Sequence, residues 1–169
     1  MFTEILSAED SRKFPTSKMQ QIHKETYEIR VIIWDTKDVP LTDGGSVDIF
    51  VKCTLDPTGW SEDEVTKETD THMASKDGNG QFNWRMKFDL TVPCEFPRLK
   101  FSIYDAGLAA DEAIGETTLS LKRTLRKLKS EDSVSVPKSY LAISNPTNPL
   151  EEKGILMFSM DILLKADAN

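Results

Sequence analysis

At 169 residues, with 38% apolar and 29% charged side chains, the chain is sized for one globular domain with its own core rather than a disordered segment. A formal net charge of −7 argues against a general nucleic-acid binder, since phosphate contacts demand concentrated Lys and Arg. No run of about 18 apolar residues reads as a transmembrane segment, and the first residues, MFTEILSAEDSRKF, lack the basic and apolar regions of a secretion signal, so a cytoplasmic protein is expected. Cys53 and Cys94 have no metal-ligand spacing and read as reduced, structural thiols.

In chain order, residues 1–26 form a polar N-terminal arm interrupted at Pro15. It carries Phe2, Ile5, Leu6, Phe14, Met19 and Ile22, too many apolar groups for a purely solvated tail. We therefore expect it to pack on a partner protein or on an outer sheet face. From Tyr27 the period becomes two: Ile29, Val31 and Ile33 alternate with Glu28, Arg30 and Ile32, which predicts a half-buried strand. Further strands are expected over 48–55, 65–73, 82–90, 99–105, 115–121, around 140–143 and over 155–164. Asp77-Gly78-Asn79-Gly80, between two of these runs, has the positive-φ chemistry of a β-hairpin turn. Leu121, Leu125 and Leu128 share one face of a short predicted helix, whose other faces carry Lys122, Arg123, Arg126, Lys127 and Lys129. Short strands divided by turn residues imply an all-β, eight-stranded antiparallel sandwich with one short helix between strands six and seven.

Antiparallel succession has a geometric consequence. The connections 36–47, 74–81 and 105–114 must all emerge at one end, and they gather Asp38, Asp43, Asp48, Asp77, Asp105, Asp111 and Glu112 there. Hard cations such as calcium take six to eight oxygens, mostly carboxylate, so this end is where such a site would lie.

The residues from Thr69 to Phe88 read TDTHMASKDGNGQFNWRMKF, and are preceded by Ser46-Val47-Asp48-Ile49-Phe50-Val51-Lys52. Ile103-Tyr104-Asp105 follows, leading to Ala113-Ile114-Gly115-Glu116. Over residues 27–165 this pattern resembles a C2 domain in the circularly permuted, type II form, and in particular the C-terminal C2 domains of ferlins, which are long, multi-domain, tail-anchored proteins of membrane fusion and repair. The resemblance implies a calcium site built from two aspartates of the first loop, matched by Asp43 and Asp48, and three acids of the third loop. Asp105 matches the first of these three. Gly107 stands where the central bridging aspartate belongs, and Asp111 or Glu112 takes the third place, so the implied calcium site is incomplete.

The resemblance also implies membrane contact through loop tips, where Leu41 and Leu108 are the apolar candidates. The strand expected to carry a lysine-rich lipid surface, residues 64–70, is acidic on balance, which leaves the basic helix as the other surface for anionic lipid. The plainer reading of that helix is a leucine-packed segment with an ordinary solvated outer face. Trp34 and Trp84 read as core or edge packing, and Trp60 as an exposed candidate for protein contact. His23 and His72 lack any spaced nucleophile or acid, so no catalytic residues are expected. The expected function is a non-catalytic binding module for phospholipid or protein with a degenerate calcium site. The alternative is a calcium-independent structural or adaptor subunit whose partner is engaged through the arm.

Overall fold

The computed structural model describes residues 23–42, 44–57, 63–128 and 130–168. The expectations for residues 1–22 of the arm, for Asp43, for Trp60 and for Lys129 therefore fall outside the described residues. Nine strand segments follow in order: β1 Glu25–Lys37, β2 Val47–Asp56, β3 Val65–Glu68, β4 His72–Ser75, β5 Gly80–Val92, β6 Arg98–Asp105, β7 Glu112–Ser120, β8 Ser133–Asn145 and β9 Asn148–Leu164. A single α-helix among the described residues, α1 Lys122–Lys127, lies between β7 and β8.

Every ladder is antiparallel, and the strands run in the order β3-β2-β6-β7-β8-β9-β1-β5, with β4 also pairing β2. The join between β7 and β8 is a single pair, Glu116 opposite Ser144. At that thin seam the sheet turns over on itself, giving one layer of β3-β2-β6-β7 and a second of β8-β9-β1-β5. Alternate apolar residues, foreseen from the sequence for β1, supply the filling. Ile29, Val31 and Ile33 of β1, Leu99, Phe101 and Ile103 of β6, and Leu156, Phe158, Met160 and Ile162 of β9 are all buried. Across the interior Phe101 meets Phe158 with ring centroids 5.4 Å apart.

Three local details differ from the sequence expectation. The third strand is split into β3 and β4 at Thr69, whose hydroxyl accepts the Val51 N–H at 3.0 Å and so stands in for a ladder bond. The Asp77–Gly80 turn does not close a hairpin. β4 pairs with β2 in one layer and β5 with β1 in the other, so the turn carries the chain between layers. Its chemistry is that of any tight reversal; what decides the pairing is that β5 buries Met86, Phe88 and Leu90 only when set beside β1. Finally, β8 starts at Ser133, before Pro137, and its register shifts between Val136 and Ser139. The proline is accommodated at that irregularity, where no ladder N–H is required of it.

The helix packs as its leucine spacing implies. Leu121 and Leu128 are buried and Leu125 is partly so, while Lys122, Arg123, Arg126 and Lys127 are on the outside or its margin. Its entry is fixed by the Leu121 N–H bonding the Pro97 carbonyl at 2.9 Å, which ties it to the β5–β6 connection.

Candidate functional site at the loop end

The connections β1–β2, β4–β5 and β6–β7 meet at one end, as antiparallel succession requires, and hydrogen bonds join them. The Val39 N–H donates to the Gly78 carbonyl at 3.0 Å, and the Ala106 N–H donates to the Asp48 carbonyl at 2.8 Å. Gly78 has φ +71, and a Cβ there would lie 2.1 Å from the Val39 carbonyl oxygen, so this approach of two loops needs glycine.

Asp105, the last residue of β6, is 6% exposed and sits at the centre of this end. One of its carboxylate oxygens accepts the Asp48 N–H at 2.8 Å, and the other accepts the Thr42 hydroxyl. Asp48, at the start of β2, accepts the Ala74 N–H at 2.5 Å. Two carboxylates thus bind the β1–β2 loop and the ends of β2, β4 and β6 to one another. Glu112 opens β7 opposite Asp105, and its side chain is exposed. Asp111 follows a different direction: its carboxylate lies 3.8 Å from the Lys52 ammonium, which also rests 4.4 Å from the centre of the Tyr104 ring. The structure therefore brings Asp48 and Asp105 together, places Glu112 beside them, and draws Asp111 toward Lys52.

Calcium would need six to eight oxygens, most of them carboxylate. Among the described residues Asp105 has both oxygens engaged by protein donors, one oxygen of Asp48 is taken by Ala74, Asp111 is ion-paired, and Gly107 brings no carboxylate. Among the described residues of the implied site only Glu112 and the second oxygen of Asp48 are left as open carboxylate donors, fewer than a shared pair of hard cations takes, and Asp43 lies outside the described residues.

Asp77 accepts the Asn79 N–H at 3.1 Å, the Asn79 side-chain amide at 2.9 Å and the Ser75 hydroxyl at 3.1 Å. These bonds, the Asn79 backbone first, hold its carboxyl below the usual carboxylate value. A lowered folded-state pKa means stabilisation that is present above the unfolded pKa and is lost as pH falls through the folded one. The protection of the Asn79 amide, its exchange relative to an unstructured peptide at the same pH, is therefore expected to hold at neutral pH and to fall as the solution is acidified below about pH 4. An Asp77→Ala chain should show the lower protection at neutral pH, with the difference from the parent closing as the pH falls through that range.

At this end the apolar candidates are outward. Leu41 is 43% exposed and Leu108 is fully exposed at the crest of the β6–β7 loop. The basic helix lies at the opposite end, because β7 leads away from the acidic loops before reaching it. The two surfaces proposed for lipid from the sequence cannot face one flat membrane together. The outer face of β2, β6 and β7 holds further cations, but Arg98 bonds Asp56 at 2.7 Å, Lys100 bonds Glu116 at 2.5 Å, and Lys52 is shared by Glu68 and Asp111. Trp34 donates its indole N–H to the Ser159 hydroxyl at 2.9 Å and lies beneath the Lys138 ammonium, whereas Trp84 stays 38% exposed.

The C2 domain family matches residues 27–136. The chain belongs to the C2 domain family. Its strand order, with β1 between β9 and β5, is that of the type II C2 form. It is 36% identical over 172 residues to ferlin 2 of Tetrahymena thermophila, a match over 99% of this chain and 10% of that protein. Ferlin 1 of Toxoplasma gondii is 33% identical over 169 residues, covering 99% of this chain and 12% of its own length. Mouse myoferlin is 33% identical over 162 residues, covering 78% of this chain and 8% of itself. This C2 domain thus spans about a tenth of the length of the curated ferlins it matches.

Among solved structures, a C2 domain of plant extended synaptotagmin 1 superposes with TM-score 0.59 at 22% identity, covering 81% of this chain and 94% of that one. Human GIVD cytosolic phospholipase A2 gives TM-score 0.61 at 12% identity, over 86% of this chain and 18% of that one. These two likenesses concern the fold. The described part of this C2 domain has no helix long and apolar enough to cross a membrane.

Proposed function

We propose that this C2 domain is a non-catalytic docking module that meets a phospholipid surface with its loop end first, on the cytoplasmic side of the membrane, and does so without requiring calcium. One observation carries the reading. At the loop end the central carboxylates are turned inward onto Thr42, Asp48 and Ala74, while Leu108 and Leu41 point out. A cation usually draws such loops together and neutralises them; here hydrogen bonds perform the first task. Each exposed leucine offers about 2 kcal/mol when buried in lipid, enough to orient a weakly held module though not to anchor it alone.

The test is co-sedimentation with vesicles of phosphatidylcholine and phosphatidylserine, in excess chelator and again with millimolar calcium, alongside calorimetry with calcium. Binding that persists in chelator, with little calcium heat, is the expected result. Vesicle binding seen only with calcium would overturn the calcium-independent part, and no binding in either condition would remove the membrane reading.

A protein contact is the second reading, and the opposite end favours it. Phe96 is 59% exposed there with the Lys122 ammonium 5.2 Å from its ring centre, beside an open groove of about 380 Å³ lined by Tyr27, Val92, Leu125 and Arg126. Aromatic and arginine side chains of this kind are common at protein interfaces. The arm joins the domain at this end, through His23 at the groove's margin.

A further inference from the structure

The β8–β9 hairpin also reaches the loop end, and nothing in the established family reading assigns it a part. Lys37, the last residue of β1, pairs with Ile155 of β9, and Ala142 of β8 pairs with the same Ile155. Residues 143–154 therefore continue past the end of β1 as a two-stranded ribbon, closed where Asn145 pairs with Asn148.

Two glycines seat the root of this ribbon. A Cβ on Gly154, which has φ +111, would lie 2.7 Å from the Lys37 carbonyl oxygen, so the ribbon leaves directly against the start of the β1–β2 loop. A Cβ on Gly115 would lie 2.8 Å from the Ile143 side chain and 2.9 Å from the Lys153 side chain, so the other flank rests on the strand that returns from the β6–β7 loop. The root of the ribbon is held between the end of β1 and β7, the strands that lead into and out of the loops presenting Leu41 and Leu108.

The turn itself is Asn145-Pro146-Thr147-Asn148, and beside it, where β9 runs unpaired between Asn148 and Glu152, one large apolar side chain is uncovered. Leu150 is 94% exposed, between Pro149 and a polar network that folds back along the ribbon. Glu151 bonds the Lys153 ammonium at 2.6 Å and accepts the Asn145 side-chain amide at 2.8 Å, while Asn145 accepts the Thr147 N–H at 2.9 Å. Lys153, followed by Asn145, holds the Glu151 carboxyl below its usual value, so a charge beside Leu150 is already balanced within the chain. Pro146 and Pro149 restrict the backbone near the turn and reduce what must be ordered on contact.

We propose that this hairpin is a third membrane-contact element, with Leu150 entering the bilayer alongside Leu41 and Leu108. The inference rests on the loop-first docking reading. A bilayer suits the arrangement better than a protein pocket does, because the three leucines stand on three separate loops with charged residues between them. A lipid surface accepts dispersed apolar side chains, and the surface presented is continuous with the proposed one.

The experiment uses the full chain and vesicles of phosphatidylcholine and phosphatidylserine. Leu150→Asn should weaken partitioning roughly thirtyfold, the scale expected for withdrawing one leucine from lipid. Leu150→Trp should restore or strengthen it. Thermal unfolding should be the same for both variants, as the side chain is uncovered in the fold. If Leu41→Asn and Leu108→Asn weaken binding while Leu150→Asn does not, docking by the loop end stands and the hairpin assignment fails. If the parent chain does not partition at all, both fail. Sedimentation velocity without lipid gives the remaining outcome: self-association that only Leu150→Asn abolishes would assign the hairpin to a protein contact and overturn the proposal.

Discussion

Replacing Phe101 with alanine should cost this C2 domain about 3–5 kcal/mol of stability, the usual range for deleting a fully buried aromatic side chain. Phe101 is 0% exposed, comes from the central strand β6, and meets Phe158 across the interior at 5.4 Å. Among the described residues a single pair, Glu116–Ser144, joins the two layers along the sheet, so face-to-face contact of this kind must hold them together. A cavity at Phe101 removes transfer energy and also the contacts of Phe158, and strands on both sides are too constrained to collapse around it. Urea unfolding with one transition at a markedly lower midpoint is the expected measurement. Leu108→Ala, at an exposed position, should leave the midpoint within experimental error. Equal midpoints for the parent and Phe101→Ala would mean that the layers do not meet as described.

Asp105→Ala should destabilise the domain even in chelator, by about 1–3 kcal/mol for each donor left without an acceptor. Two are at stake, the Asp48 N–H and the Thr42 hydroxyl. The Asp48 N–H has the less ready alternative, since it lies where β2 leaves the loop and is partly covered. Asp105→Asn keeps a carbonyl oxygen and should lose less. Asp111→Ala should be close to neutral, because Lys52 retains Glu68 and solvent as partners. The comparison distinguishes two roles for one residue. If Asp105→Ala has the parent's stability in chelator and loses a calcium-dependent stabilisation, then Asp105 is a ligand rather than a loop clasp. If stability falls equally with and without calcium, the clasp is its function.

Much of this was legible in the chain itself. Period-two alternation in β1 identified its buried face, because a strand with one wet face leaves that record in its sequence. The 121, 125 and 128 spacing located α1 and its inner side. The convergence of three acidic connections at one end followed from antiparallel order alone, with no knowledge of contacts. The same parity applies to the β8–β9 turn, which also had to emerge there. The signal that could have revealed it was present: Val134 and Val136 alternate ahead of Pro137, and recognising β8 from Ser133 would have shown a long ribbon in place of a short strand.

What each candidate residue does could not be read that way. Asp105 and Asp111 are both loop aspartates in sequence, yet one is buried under two donors and the other faces a lysine contributed by β2. The Asp77–Gly80 turn has hairpin chemistry, yet the strands it connects belong to different layers. Local composition determines where the chain extends, turns and hides apolar groups, because those preferences act within a few residues. Whether a carboxylate is free, paired or clasped depends on groups distant in sequence, and only the packing of the two layers brings those groups within reach.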